Sequence, residues 1–141
     1  MMEKKMKLNA IKEQFGYVVA IGTSIALLFF FIGSVWIGYE AKSLCQNAIW
    51  QYGGDCVEAL IDELHDDHQG FRTRNHAIWA LGQLGDDRAV PALKRYYTGN
   101  IPSREPLDEM ISQYELKKAL NLASGGPNST AIIWRGLLGK K

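Results

Sequence analysis

The chain is predicted to be all-α: one membrane-spanning helix near the N-terminus, then a short α-solenoid of antiparallel helix pairs. Three observations predict this. Gly16 to Tyr39 contains no charged residue. Between Ala41 and Ala123, apolar residues recur at i, i+3, i+4 and i+7, the period of a helix with one buried face. The segment Cys56–Leu60 also returns as Ala89–Leu93, 33 residues on, a period that suits stacked helix pairs. The four prolines lie at Pro91 and beyond, so no proline interrupts helix before that point.

The apolar run comes first. Tyr17 to Gly38 would extend roughly 33 Å as a helix, enough for a hydrocarbon core of about 30 Å. Tyr17 stands at one end and Trp36 and Tyr39 at the other, where interfacial aromatics belong. The length of the run, with no polar face, argues against a buried core helix. A cleaved signal peptide is the other rival, but its apolar region usually covers about 7–15 residues. Ala41-Lys42-Ser43 imitates a cleavage site only loosely, and Leu44 before Cys45 does not suit a lipoprotein signal. Lys4, Lys5, Lys7 and Lys12 precede the run, whereas Lys42 stands alone after it until Arg72. The positive-inside rule therefore expects a single-pass inner or plasma membrane protein, with residues 1–16 cytoplasmic and the domain extracytoplasmic or periplasmic. Gly22/Ala26 and Ser34/Gly38 are small-residue pairs that would let a neighbouring helix approach.

The span is taken as 17–39, a juxtamembrane capping helix as 40–54, the repeats as 55–123 and the tail as 124–141. In the capping helix Ala41, Leu44, Cys45, Ala48 and Tyr52 share one face. Gly53-Gly54 ends it. Asp55 with Glu58 then forms a capping-box pair for a second helix that buries Val57, Leu60, Ile61 and Leu64. A third helix is expected from Phe71 to Leu84 on Ala77, Ala80, Leu81 and Leu84, with Gly85 as its stop. Asp86 or Asp87 caps a fourth, carrying Val90, Leu93 and Tyr97, with Pro91 tolerated in its first turn. Thr98 to Pro106 is a loop, and a fifth helix is expected from Leu107 to Ala123.

The run Arg74-Asn75-His76-Ala77-Ile78-Trp79-Ala80-Leu81-Gly82-Gln83-Leu84-Gly85-Asp86-Asp87-Arg88-Ala89-Val90-Pro91-Ala92-Leu93 resembles HEAT-like repeats of the phycobilisome-lyase type. It carries their R-x-x-A-x-x-A-L-G-x-L-G-D-x-R-A-V-P-x-L pattern. The resemblance is strong over Asp55 to Tyr97 and weaker to Ala123. It implies about two repeat units, with the helix before Gly53 and the tail as caps, since helical repeats need neighbours to bury their faces. It also implies that Arg74 supports a turn and that the second helix of each pair lines a concave surface.

On that surface the non-core positions of the third helix are Arg72, His76, Trp79 and Gln83, the expected partner-binding face. Trp79 lies outside the apolar stripe and is either a binding anchor or packed on Glu115, Lys118 or the tail. Cys45 and Cys56 either form a disulfide, which an extracytoplasmic setting permits, or remain two buried thiols. In a straight hairpin centred on Gly53-Gly54 their axial offset is about 9 Å, beyond the reach of about 7 Å between Cα atoms. Bonding then requires the first helix to end early or tilt. His65, Asp66, Asp67 and His68 read as a solvated turn, and no metal site is expected. The tail, Ala131 to Lys141, is apolar with a basic end and is expected to fold back on the last helix; the alternative places it on the membrane surface. Asn128-Ser129-Thr130 fits a glycosylation sequon, relevant only in a eukaryotic secretory setting.

The net charge is +1. A domain with balanced charges carries no footprint for nucleic acid. No catalytic constellation and no cofactor motif is visible, and the His-Glu dipeptides of HEAT-like metal hydroxylases are absent. The expectation is a membrane-tethered scaffold or adaptor without catalytic activity, whose partner is another, membrane-associated protein. The alternatives are an accessory subunit of a larger membrane complex, or a lyase- or chaperone-like subunit related to the bilin lyases.

Overall fold

A computed structural model describes residues 2–138, with side chains for Met6 and from Ile11 onward. The side chains of Lys4, Lys5 and Lys7, and residues Lys140 and Lys141, lie outside this description. Six α-helices follow one another: α1 Met2–Tyr52, α2 Cys56–His65, α3 Phe71–Leu84, α4 Val90–Tyr96, α5 Gln113–Ala123 and α6 Ser129–Leu138. A 3-10 turn, Asp87–Ala89, leads into α4, and the described residues contain no strand.

The expected span and capping helix are one continuous helix of 51 residues. Its length, roughly 75 Å at 1.5 Å per residue, exceeds any element of the domain. The large apolar side chains from Ile11 to Ile32 stand exposed, and this part is long and apolar enough to cross a membrane. From Ser34 onward one face is covered. Ser34, Gly38, Ala41, Cys45 and Ala48 are its buried positions. They alternate by three and four residues, so they form one seam along the helix. All five are small, which lets other helices approach closely.

Those helices are α2, α3 and α6. The chain leaves α1 through Gly53 and Gly54, both at positive φ (77° and 73°), a sequence of conformations that side chains resist. Asp55 then accepts hydrogen bonds from the amides of Val57 (2.8 Å) and Glu58 (3.0 Å), and Glu58 accepts from the Asp55 amide, so the expected capping box is present. α2 pairs with α3 and α4 with α5, while α3 also packs broadly on α5. The core holds Leu60, Leu64, Ala77, Ile78, Leu81, Leu93, Leu116 and Trp134, all essentially without solvent contact. Gly85 closes α3 in the left-handed region.

Two expected elements are revised. The fifth helix begins at Gln113, not Leu107. Residues 107–112 have a stronger alternative, because Asn75 claims the Leu107 and Met110 carbonyls and the Ser112 amide. The tail forms α6 and packs mainly on α1 rather than on α5. Its Trp134 fills the space left beside Gly38.

Candidate interaction surfaces

The four expected partner-binding residues of α3 do not share one free face. Arg72 and His76 are exposed near its N-terminal half. Trp79 is half-buried against the core and shares a narrow crevice with Glu115, Lys118 and Leu122 of α5. Gln83 is tied to the C-terminal segment. Its side-chain oxygen accepts from Asn128 (3.2 Å), and its carbonyl accepts from the Arg135 guanidinium. The cause is crowding: a stack of two pairs leaves the C-terminal half of α3 covered by α5 on one side and the returning tail on the other.

The most exposed tryptophan is instead Trp50 of α1, 91% accessible. It lies off the seam that buries Ala41, Cys45 and Ala48, and the off-stripe logic applied to Trp79 would have found it. A second free surface lies at the far end of the stack. Tyr97, Tyr114, Lys117, Leu120 and Asn121 border a groove of about 480 Å³ on the outer side of α5. Among the described residues no further helix pair covers it, so α5 presents there the kind of face that another repeat would pack against.

Asn75 and Arg74 are buried polar groups with structural duties. The Asn75 amide donates to the carbonyls of Leu107 and Met110 (both 2.8 Å), and its oxygen accepts from the Ser112 amide (2.9 Å). Glu105 accepts from the Ser112 hydroxyl (2.6 Å) and from the Gln113 amide (2.7 Å) at the start of α5. These bonds lower the Glu105 carboxyl below its ordinary value against the opposing effect of its burial. Gln113 in turn accepts from the Thr98 amide (2.8 Å), so the long loop is fastened at both ends. Arg74 donates to the Leu64 carbonyl (2.9 Å), pairs with Asp67 (3.0 Å) and lies over the Tyr96 ring. It closes the α2–α3 turn, as the family resemblance implied.

Cys45 and Cys56 are joined, with Cα atoms 5.1 Å apart. The straight-hairpin estimate overstated their separation. Cys56 is the first residue of α2, and the three linker residues run back along α1 before α2 begins. Beside this pair a groove of about 440 Å³ is lined by Ile49, Asp55, Leu84, Asp86 and Arg88 among others. Arg88 bridges Asp55 (2.6 Å) and Asp86 (3.1 Å), linking the start of α2 to the turn that leads into α4. Hydrogen bonding from Arg88 holds both carboxyls below their ordinary range.

His68 lies beside Asp66, with ring and carboxylate 3.1 Å apart, but His65 does not join them. Asp66 accepts from the Tyr52 hydroxyl (2.7 Å) and from the His68 amide (2.9 Å), whereas the His65 ring turns inward against Tyr96. Among the described residues no group of three His, Cys, Asp or Glu could hold a metal ion. Asn128 of the sequon caps α6 by accepting from the Ala131 amide (3.1 Å).

Helix pairing, the αL stop at Gly85 and the Asp86-x-Arg88 bridge define the class, an all-helical protein built on a helical repeat. Comparison with known families agrees: the model of the PBS lyase HEAT-like repeat matches residues 73–98, which cover most of α3 and all of α4. The chain therefore carries a HEAT-like repeat, and that family supports a protein-interaction or lyase-related role. No curated protein and no solved structure matches the chain.

Proposed function

We propose that this protein is a membrane-tethered HEAT-like interaction module with no catalytic activity of its own. The observation that carries the proposal is the continuity of α1. One helix supplies both the exposed apolar segment and the seam on which the domain folds. A domain built on its own anchor holds its binding surfaces at a defined height and orientation, which raises their effective concentration toward other membrane proteins. Continuity also supports an uncleaved anchor. Cutting after Ser43 would remove Ser34, Gly38 and Ala41, and with them the surface beneath Trp134.

The surfaces offered to a partner are the outer side of α5 around Tyr114 and Lys117, and the exposed Arg72 and His76 of α3. Tyrosine and arginine are common binding anchors. Photocrosslinking from Tyr114 and His76 in the full chain, followed by detergent pull-down, should capture a partner. The double substitution Tyr114→Ala, Lys117→Glu should abolish its capture without changing the melting temperature. A second reading, an accessory subunit held by its anchor, is favoured by the uncovered apolar surface from Tyr17 to Ile32. It prevails if the surface variants retain the partner and replacement of residues 17–33 by an unrelated span loses it.

A further inference from the structure

We infer that α6 is an interfacial helix that rests on the lipid surface of the bilayer crossed by α1. The inference builds on the anchor proposed above. A Cβ placed on Gly38 would meet Trp134 Cβ at 2.5 Å, so the two helices all but touch there. Gly38 is the last residue of the apolar run, and Trp36 and Tyr39 stand exposed on either side of it. The contact with Gly38 therefore fixes α6 at the height where the apolar run ends and water begins.

The sides of α6 sort by partner. Ala131 and Trp134 are buried in the packing on α1. Arg135 reaches the end of α3 through the Gln83 carbonyl. At 100° per residue, the arc turned away from both partners carries Ser129, Ile132, Ile133, Gly136 and Leu137. It holds no charge. Ile132 is 78% and Leu137 60% accessible. Two large apolar side chains on one short helix, at this height, find an apolar medium only in the lipid boundary.

The end of the helix fits the same setting. The last carbonyls of a helix lack internal partners. The Lys42 ammonium, from the turn of α1 just beyond Gly38, donates to the Leu138 carbonyl. A cation there also suits the negative end of the helix dipole. The occupant of the free arc is lipid rather than protein because the arc is continuous in height with the lipid-facing part of α1.

The test places the photoreactive residue benzoylphenylalanine at Leu137 and at Ile132 of the full chain in phosphatidylcholine–phosphatidylglycerol nanodiscs. Phe30 and His76 serve as reference positions. After irradiation, mass spectrometry should show one-lipid adducts at 137, 132 and 30, and none at 76. Adducts at 30 without adducts at 137 and 132 overturn the inference and leave the anchor intact. Absence of adducts at 30 overturns the anchor and this inference together. Crosslinks from 137 to a second protein chain, in place of lipid, assign the arc to a protein interface and also overturn it.

Discussion

Asn75 satisfies three backbone groups with one side chain, and all three belong to a segment more than thirty residues away. Replacing it with Ala strands two carbonyls and an amide. An unsatisfied buried group costs about 1–3 kcal/mol, so Asn75→Ala should lower stability by about 2–4 kcal/mol. Faster proteolytic cutting between residues 99 and 110 should accompany it; an unchanged melting curve and cutting rate would refute the clamp. Two groups on α2 oppose each other in their response to pH. Burial lowers the pKa of His65, with Arg95 and Arg74 acting in the same direction and Asp62 and Asp67 against it. The unfolded chain then binds the extra proton, so this group's contribution is present above about pH 6.5 and is lost as pH falls through the folded value. Burial raises Glu63 above its ordinary value. Its contribution is full below that ordinary value and is lost as pH rises through the folded one. His65→Gln should therefore weaken the loss of stability on acidification from pH 7 to pH 5, and Glu63→Gln should raise stability at pH 7. Denaturant midpoints across that range measure both.

At the scale of elements, close approach rests on small residues. A Cβ on Gly82 would lie 2.8 Å from the Ala119 Cα of α5. That neighbour is backbone, so the helices themselves must move. Overpacking of this kind typically costs about 1–3 kcal/mol. Gly82→Ala should destabilise by that amount despite the better helix propensity of alanine, whereas alanine at the open position Gly70 should not produce such a clash. Equal melting temperatures for Gly82→Ala and the parent would contradict the contact. This scale also shows where sequence patterns were legible. The apolar stripes of α2 and α3, the capping box at Asp55 and the stop at Gly85 each depend on residues within a turn or two of one another, and periodicity reads such relations well. The start of α5 was not legible. Leu107–Ser112 has helix-compatible apolar spacing, but Asn75 takes up its backbone groups from α3, more than thirty residues away.

At the scale of the molecule, α1, the Cys45–Cys56 bond and α6 form one assembly. The bonded cysteines are 11 residues apart, and in the chain-entropy model a loop of that size contributes about 3 kcal/mol. Replacing both cysteines with serine should cost nearly that much. If the domain lies in an oxidising compartment, alkylation of the protein from intact cells should label neither cysteine until a reductant is added. Free thiols in that assay would argue for a cytoplasmic domain. The anchor has its own check: the mass of the mature protein should include residues before Leu44. Trp134 fills the junction of α6 with α1, so Trp134→Ala should cost about 3–5 kcal/mol.

Local order determined much of this protein directly. An uncharged run long enough to cross a bilayer, a 3.6-residue apolar period and a repeat pattern specify helices, because each expresses short-range geometry and the solvent a helix face needs. The order of helices and the HEAT-like pairing followed from them. Only the tertiary structure decided which faces remained free. It drew Trp79 and Gln83 of the expected partner face into packing with α5 and the tail, left Trp50 exposed, and brought Cys56 beside Cys45 by turning the linker back. It also laid α6 on α1 through the contact of Trp134 with Gly38. Those outcomes depend on which distant surfaces compete for the same space, and the spacing of residues along one helix carries no record of that competition.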